Sequence, residues 1–190
     1  MTVRIINADV FEGLKSLPDE SVHMVVTSPP YWGLRDYGVD GQLGLEASLG
    51  EHIEVMVAVF REVRRVLRED GSLWLNYGDC YATTPNGRSA ADTKAAGKDD
   101  RTFRDKPRST VGPIHAPEGC AKSGYLKPKD LCMVPARLAL ALHEDGWWIR
   151  ARNIWGKPNA MPDSSGRFRP AVAFEEVFLL TKSVTAFYDA

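Results

Sequence analysis

The chain has 190 residues, 44% of them hydrophobic and 26% charged, with a formal net charge of −1. That is apolar material enough for one core. A charge so near zero excludes a surface-wide field for polyanions, so a nucleic-acid contact has to be local. The first β-prone run is Val3–Ile6. Asp9 then stands as an N-cap before VFEGLKSL, a short helix closed by Pro18. Val22–Thr27 reads as a buried strand that ends at the double proline of TSPPYW. Ser28 to Gly50 is glycine-rich and reads mostly as loop. Glu51–Leu67 is the clearest helix, with Ile53, Met56, Val57, Phe60, Val63 and Leu67 at spacings of 3 and 4 and Arg61, Arg64, Arg65 and Arg68 mostly opposite. Asp70-Gly71 ends it, and Ser72–Tyr77 (SLWLNY) follows as a strand.

This alternation of strands and helices with short connections predicts βαβ units and a largely parallel sheet covered by helices. Residues 78 to about 127 interrupt it with a polar, aperiodic stretch long enough to be a functional excursion or a solvated one. Within it, Gly87–Ser109 sets seven basic residues against four acidic ones, a local charge of +3. Arg88, Arg101, Arg104, Lys106 and Arg108 are its candidates for phosphate contacts. Order returns with a helix at Pro135–Asp145, proline in its first turn, and a strand at Trp147–Trp155. In that strand Trp147, Ile149, Ala151 and Asn153 alternate with Trp148, Arg150, Arg152 and Ile154. Glu176–Thr181 is apolar and is expected to pair with Ala186–Tyr188 as a hairpin.

No run approaches the roughly 18 unbroken apolar residues of a membrane span. The N-terminus lacks the basic-then-apolar layout of a signal peptide. Cys80, Cys120 and Cys132 suit neither a disulfide framework nor a CxxC metal site, and the four histidines show no HxH or HExxH spacing. The expectation is a reducing cytoplasm and no metal.

Ligands of open α/β sheets bind beyond the carboxyl ends of the strands, which is where TSPPYW falls. Pro29 and Pro30 have fixed φ angles and no N–H. That leaves carbonyls at Ser28 and Pro29 beside the Ser28 hydroxyl and the flat ring of Tyr31. Acceptors beside an aromatic wall suit an exocyclic amino group on a planar base; a stiff loop with Tyr31 packed on the core is the plainer alternative.

NADVFEGLKSLPDESVHMVVTSPPYWGLRDYG, FREVRRVLREDGSLWLNYGD, LALALHEDGWWIRARNIWGKPNAMPDSS and the stretch around EEVFLLTKS and FYD resemble the DNA methyltransferases that act on exocyclic amino groups, N4 of cytosine or N6 of adenine, in their permuted β-type order. The resemblance covers nearly all of the chain outside the 78–127 stretch. It implies one partial catalytic domain over residues 1–190, with an insertion at about 78–127. The implied fold is a Rossmann-like, S-adenosylmethionine-dependent sheet, mostly parallel, with a C-terminal antiparallel hairpin. By the same resemblance Ser28, Pro29, Pro30 and Tyr31 form the catalytic (D/N/S)PP(Y/F/W) motif, with Tyr31 stacking on a base flipped out of double-stranded DNA. Asp9 and Thr27 belong to the cofactor side. Trp32, Trp155, Lys157 and Asn159 belong to the target-base pocket. From the residues alone, Asp9 is equally an N-cap, Trp32 equally core, Lys157 a solvated loop residue, and Asp79 either lines the cleft or stabilises a turn.

The family's glycine-rich FxGxG element, which cradles the methionine end of the cofactor, has no counterpart here; the sequence contains no GxG. The resemblance therefore implies the N-terminal half of a bacterial or phage enzyme, with FxGxG supplied by a second chain or by a missing C-terminal half. On its own it is expected to bind S-adenosylmethionine weakly or not at all. Serine at position 28 leans the implied target toward N4 of cytosine; N6 of adenine and an inactive fragment or subunit are the alternatives.

Overall fold

A computed structural model describes residues 3–34, 37–82, 126–127, 130–159, 170 and 172–186. The chain forms two compact units. One comprises Met1–Pro29, Ile53–Asp79 and Met133–Ala190; the other comprises Pro30–His52 and Cys80–Cys132.

The first unit is built on a four-stranded sheet. Its strands are β1 (Val22–Thr27), β2 (Leu67–Tyr77), β3 (Trp148–Gly156) and β4 (Phe174–Thr181), in the order β1-β2-β4-β3. β1 and β2 are parallel, and β4 runs antiparallel to both β2 and β3. β1, β2 and β3 therefore point the same way, and their carboxyl ends share one edge with the start of β4. The hairpin expected between Glu176–Thr181 and Ala186–Tyr188 is not the source of the antiparallel pairing: β4 lies between β2 and β3, and residues 187–190 fall outside the described part.

Among the described residues three helices accompany the strands: α1 (Val10–Lys15), α2 (Leu49–Val66) and α3 (Val134–Glu144). As the sequence predicts, Asp9 caps α1 by accepting from the Phe11 amide at 2.9 Å. Val3–Ile6, expected as a strand, is not one. Val3 and Ile5 are 84% and 88% exposed, and β-propensity has no effect where no described neighbour offers a ladder. Arg65 on α2 fixes the end of α1, donating to the carbonyls of Leu14 and Leu17 at 2.9 and 3.1 Å and pairing with Asp19 and Glu62.

The buried stripe of α2 runs through Met56, Val59, Phe60, Val63 and Val66. It is turned slightly from the predicted one, leaving Ile53 and Val57 half-covered. Each such side chain contributes on the order of 1.5–3 kcal/mol by leaving water. With Leu73, Leu75 and Tyr77 of β2, Phe178 and Leu180 of β4, and Val134, Leu138 and Leu142 of α3, they make up the core.

α2 passes into β2 with no turn, since β2 opens at Leu67. The predicted break at Asp70-Gly71 is instead a bulge: Val22 pairs with Leu67, but Met24 pairs with Ser72. Gly71 sits at its tightest point, where an added Cβ would stand 2.9 Å from Leu67 Cδ2 and 3.1 Å from the His23 carbonyl oxygen. A second irregularity, between Ile149 and Ala151, breaks the simple alternation predicted for β3. No described helix is long and apolar enough to cross a membrane.

In the second unit the described ends of the 78–127 stretch are tied together. Tyr81 bridges Leu131, the Ala82 amide donates to the Asp130 carbonyl at 2.8 Å, and the Cys132 amide to the Cys80 carbonyl at 2.9 Å.

Candidate functional site

Ser28 and Pro29 continue directly from the carboxyl end of β1, whose last residue, Thr27, pairs with Leu75. Ser28 is exposed and Pro29 half-buried. Neither the Ser28 hydroxyl nor the Pro29 carbonyl is engaged in a hydrogen bond among the described residues. They are two acceptors at the edge of the sheet where open α/β folds take ligands.

The carboxyl end of β2 lies on the same edge. Asp79 follows it and accepts from the Val134 amide at 3.0 Å. Met133, the residue before α3, has φ 56° and makes no side-chain cap of its own. Asp79 therefore caps α3 from a distance, so the stabilising role weighed for it in the sequence is present, though on a helix rather than a turn.

Trp155, next to the last residue of β3, is 57% exposed, and Lys157 and Asn159 follow, half-buried and exposed. Lys157 is not a freely solvated residue. Its ammonium pairs with Glu175 on β4, and Glu175 also accepts from Asn76 Nδ2 on β2 at 3.0 Å. Asn76 Oδ1 is buried with no partner among the described residues, an acceptor at the strand ends. Sequence reading passed over Glu175 and Asn76. The available signal was an acidic pair, Glu175-Glu176, opening an otherwise apolar strand.

Asp9 is exposed and uses Oδ1 for the α1 cap. The structure thus supplies the N-cap reading, with its other oxygen unengaged among the described residues. The strand expected to precede it is absent. Arg88, Arg101, Arg104, Lys106 and Arg108 lie outside the described residues.

Pro30, Tyr31 and Trp32 open the second unit. Tyr31 is half-buried. Trp32 is 2% exposed, stacked on His52 with ring centroids 6.4 Å apart, and donates from Nε1 to the Glu46 carbonyl at 3.1 Å. It packs within its unit, the core alternative of the sequence reading, and its ring is not an open face for a base. His52, fully buried, contacts Glu46 Oε2 through Nδ1 at 2.7 Å. Glu46 also accepts from the Gly44 amide, at 3.0 and 3.1 Å. Burial by itself would raise the Glu46 carboxyl. The hydrogen bonds from His52 and Gly44 outweigh that, and the group lies below its ordinary value.

Residues 22–189 match the DNA methylase family profile. The chain belongs to this DNA methylase family. It is 45% identical over 185 residues to the Type II methyltransferase M.XycI of Xanthomonas campestris pv. cyanopsidis, covering 97% of this chain and 56% of that protein. It is 47% identical over 186 residues to M.SmaI of Serratia marcescens, covering 98% and 58%. The chain thus spans a little over half the length of these relatives. Among solved structures it is similar in fold to the PvuII cytosine-N4-specific DNA methyltransferase, with a TM-score of 0.59 at 17% identity, covering 96% of this chain and 50% of that one. It is also similar to a DNA modification methylase from Thermus thermophilus complexed with S-adenosyl-L-methionine, with a TM-score of 0.56 at 20% identity, covering 96% and 54%. The four-stranded α/β sheet is accordingly of the Rossmann-like methyltransferase type.

Proposed function

We propose that this chain is the target-base-holding portion of a site-specific DNA methyltransferase that modifies an exocyclic amino group, N4 of cytosine in preference to N6 of adenine. The observation that carries the reading is the pair of unengaged acceptors, Ser28 hydroxyl and Pro29 carbonyl, at the carboxyl end of β1 in a chain of the DNA methylase family. An exocyclic amino nitrogen shares its lone pair with the ring and is a weak nucleophile. Two acceptors on its N–H groups favour a more pyramidal nitrogen and fix its direction of attack. Tyr31 stacks on the base once it has left the duplex, an extrusion that costs about a few kcal/mol. Lys157, held by Glu175, and the exposed Trp155 and Asn159 border the base. A neutral serine accepts from either amino group; the lean to cytosine rests on the family pattern in which serine replaces aspartate.

S-adenosylmethionine is the methyl donor of this reading, and its sulfonium carbon supplies the electrophile. The residues present fit only part of it. Asp9, with one carboxylate oxygen uncommitted among the described residues, and Thr27 suit the adenosine end. No glycine-rich cradle for the methionine end occurs in the 190 residues. We assign that cradle to the part of the relatives that this chain does not span, on the same polypeptide or a second one. Met24 and Val26, 56% and 70% exposed on β1, offer that part an apolar edge with no strand beyond it among the described residues.

Sequencing that detects modified bases, on DNA from cells expressing the complete reading frame, tests the function. A methylated cytosine N4 at one recurring motif is expected. Methylated adenine moves the reading to its alternative, and unmodified DNA overturns it. Calorimetric titration of the 190-residue chain with S-adenosylmethionine is expected to show weak or no binding; a tight isotherm would place the cradle within this chain.

A further inference from the structure

We infer that Glu46 is a positioning residue that holds Tyr31 in its stacking orientation, and this rests on the reading of Tyr31 as the base-stacking ring. The inference comes from a set of contacts within the second unit. Residues 31–34 form a turn, with the Leu34 amide donating to the Tyr31 carbonyl at 3.3 Å. That turn is joined to Gly44 by the Gly33 amide, which donates to the Gly44 carbonyl at 2.8 Å. Gly44 has φ +95°, and a Cβ there would stand 3.1 Å from the Tyr31 carbonyl oxygen and 3.2 Å from Pro30 Cβ. The backbone of Gly44 is therefore pressed against the very residues that follow Pro29.

Glu46 is what keeps Gly44 there. Its carboxylate takes the Gly44 amide on both oxygens and His52 Nδ1 on one, while its own carbonyl takes Trp32 Nε1. Its side chain is only 11% exposed and that of His52 is 0% exposed. One buried carboxylate thus ties together the loop after the double proline, the glycine beneath that loop, and the first turn of α2. A buried carboxylate engaged in this way is held in one place, because releasing any partner leaves a charge or a donor unmatched. Glu46 acts through Gly44 and Trp32 on the backbone either side of Tyr31.

The first arm of the test is amide hydrogen exchange on the 190-residue chain. Glu46→Ala is expected to speed exchange at Gly33 and Gly44 by about tenfold or more, while amides of α2 beyond His52 and of β2 keep their protection. Glu46→Gln, which retains an acceptor for Gly44, is expected to fall much nearer to wild type. Unchanged exchange at Gly33 and Gly44 in Glu46→Ala overturns the inference; so does equal loss in the two variants. Global loss of protection in Glu46→Ala passes the decision to Glu46→Gln, whose retention of both amides supports the strap and whose loss of them overturns it.

The second arm uses the complete frame, in a double-mutant cycle of Glu46→Ala and Tyr31→Ala read as kcat and KM for DNA. A positioning role predicts loss mainly in kcat, and a double variant no worse than Tyr31→Ala. Additive losses overturn it. If Tyr31→Ala alone leaves kcat unchanged, the stacking reading fails, while the exchange arm still judges the strap on its own.

Discussion

Glu46 carries a carboxylate into the interior of its unit, and the hydrogen-bond donors that meet it there leave a pH signature. Folding lowers its pKa, so as pH falls the unfolded chain takes up the proton first. The stabilisation is therefore fully present above the ordinary glutamate value of 4.5 and is lost as pH drops through the lowered folded value. Glu46→Gln should lower the urea midpoint at neutral pH and flatten its dependence on pH below about 4.5. Parallel curves for the two proteins would contradict the assignment. Asp79 makes a second prediction at the level of single residues. It caps a helix that starts from a left-handed methionine, so Asp79→Ala should cost about 1 kcal/mol in denaturant unfolding and Asp79→Asn clearly less.

At the scale of elements, the bulge in the β1–β2 pairing depends on Gly71. A methyl group there would meet Leu67 Cδ2 at 2.9 Å and the Arg68 carbonyl oxygen at 3.0 Å. Gly71→Ala should destabilise by about 1–3 kcal/mol, as overpacking does, with the loss read from chemical denaturation at unchanged m. The same stretch shows where sequence reading works. The helix of α2, the N-cap at Asp9 and the strand before the double proline are local patterns, and all three form, although the α2 stripe is turned and β1, expected to be buried, leaves Met24 and Val26 56% and 70% exposed. Asp70-Gly71 reads locally as a helix stop; only the pairing of Val22 with Leu67 makes the chain extended from Leu67 onward. The position of β4 between β2 and β3 is likewise set by partners that, for β2, lie between Ser72 with Thr181 and Tyr77 with Glu176, far apart in the chain. Val3–Ile6 has strand residues but no described neighbour to pair with. In the proposed site the Ser28–Tyr31 motif is legible because its residues are adjacent in the chain. The hold of Glu175 on Lys157 and the capping of α3 by Asp79 are not, since each joins positions separated by a fold or a loop, and the contact of Glu46 with His52, six residues on, follows no periodic pattern.

The whole chain keeps its sheet together through residues from both of its ends. β2 and β4 pair from Ser72 with Thr181 to Tyr77 with Glu176, and Arg61 of α2 donates to Asp145 after α3 at 2.8 Å. The first half of the sequence supplies β1, α2 and β2; the second supplies α3, β3 and β4. Covalent continuity between Ala82 and Leu126 is therefore not what joins them. Residues 1–98 and 99–190, expressed together as two separate polypeptides, should run as one species on a native gel and separate only on denaturation. The tied stem of Cys80–Ala82 with Asp130–Cys132 then becomes a natural break point, at which the gene could be divided in two and its products left to reassemble.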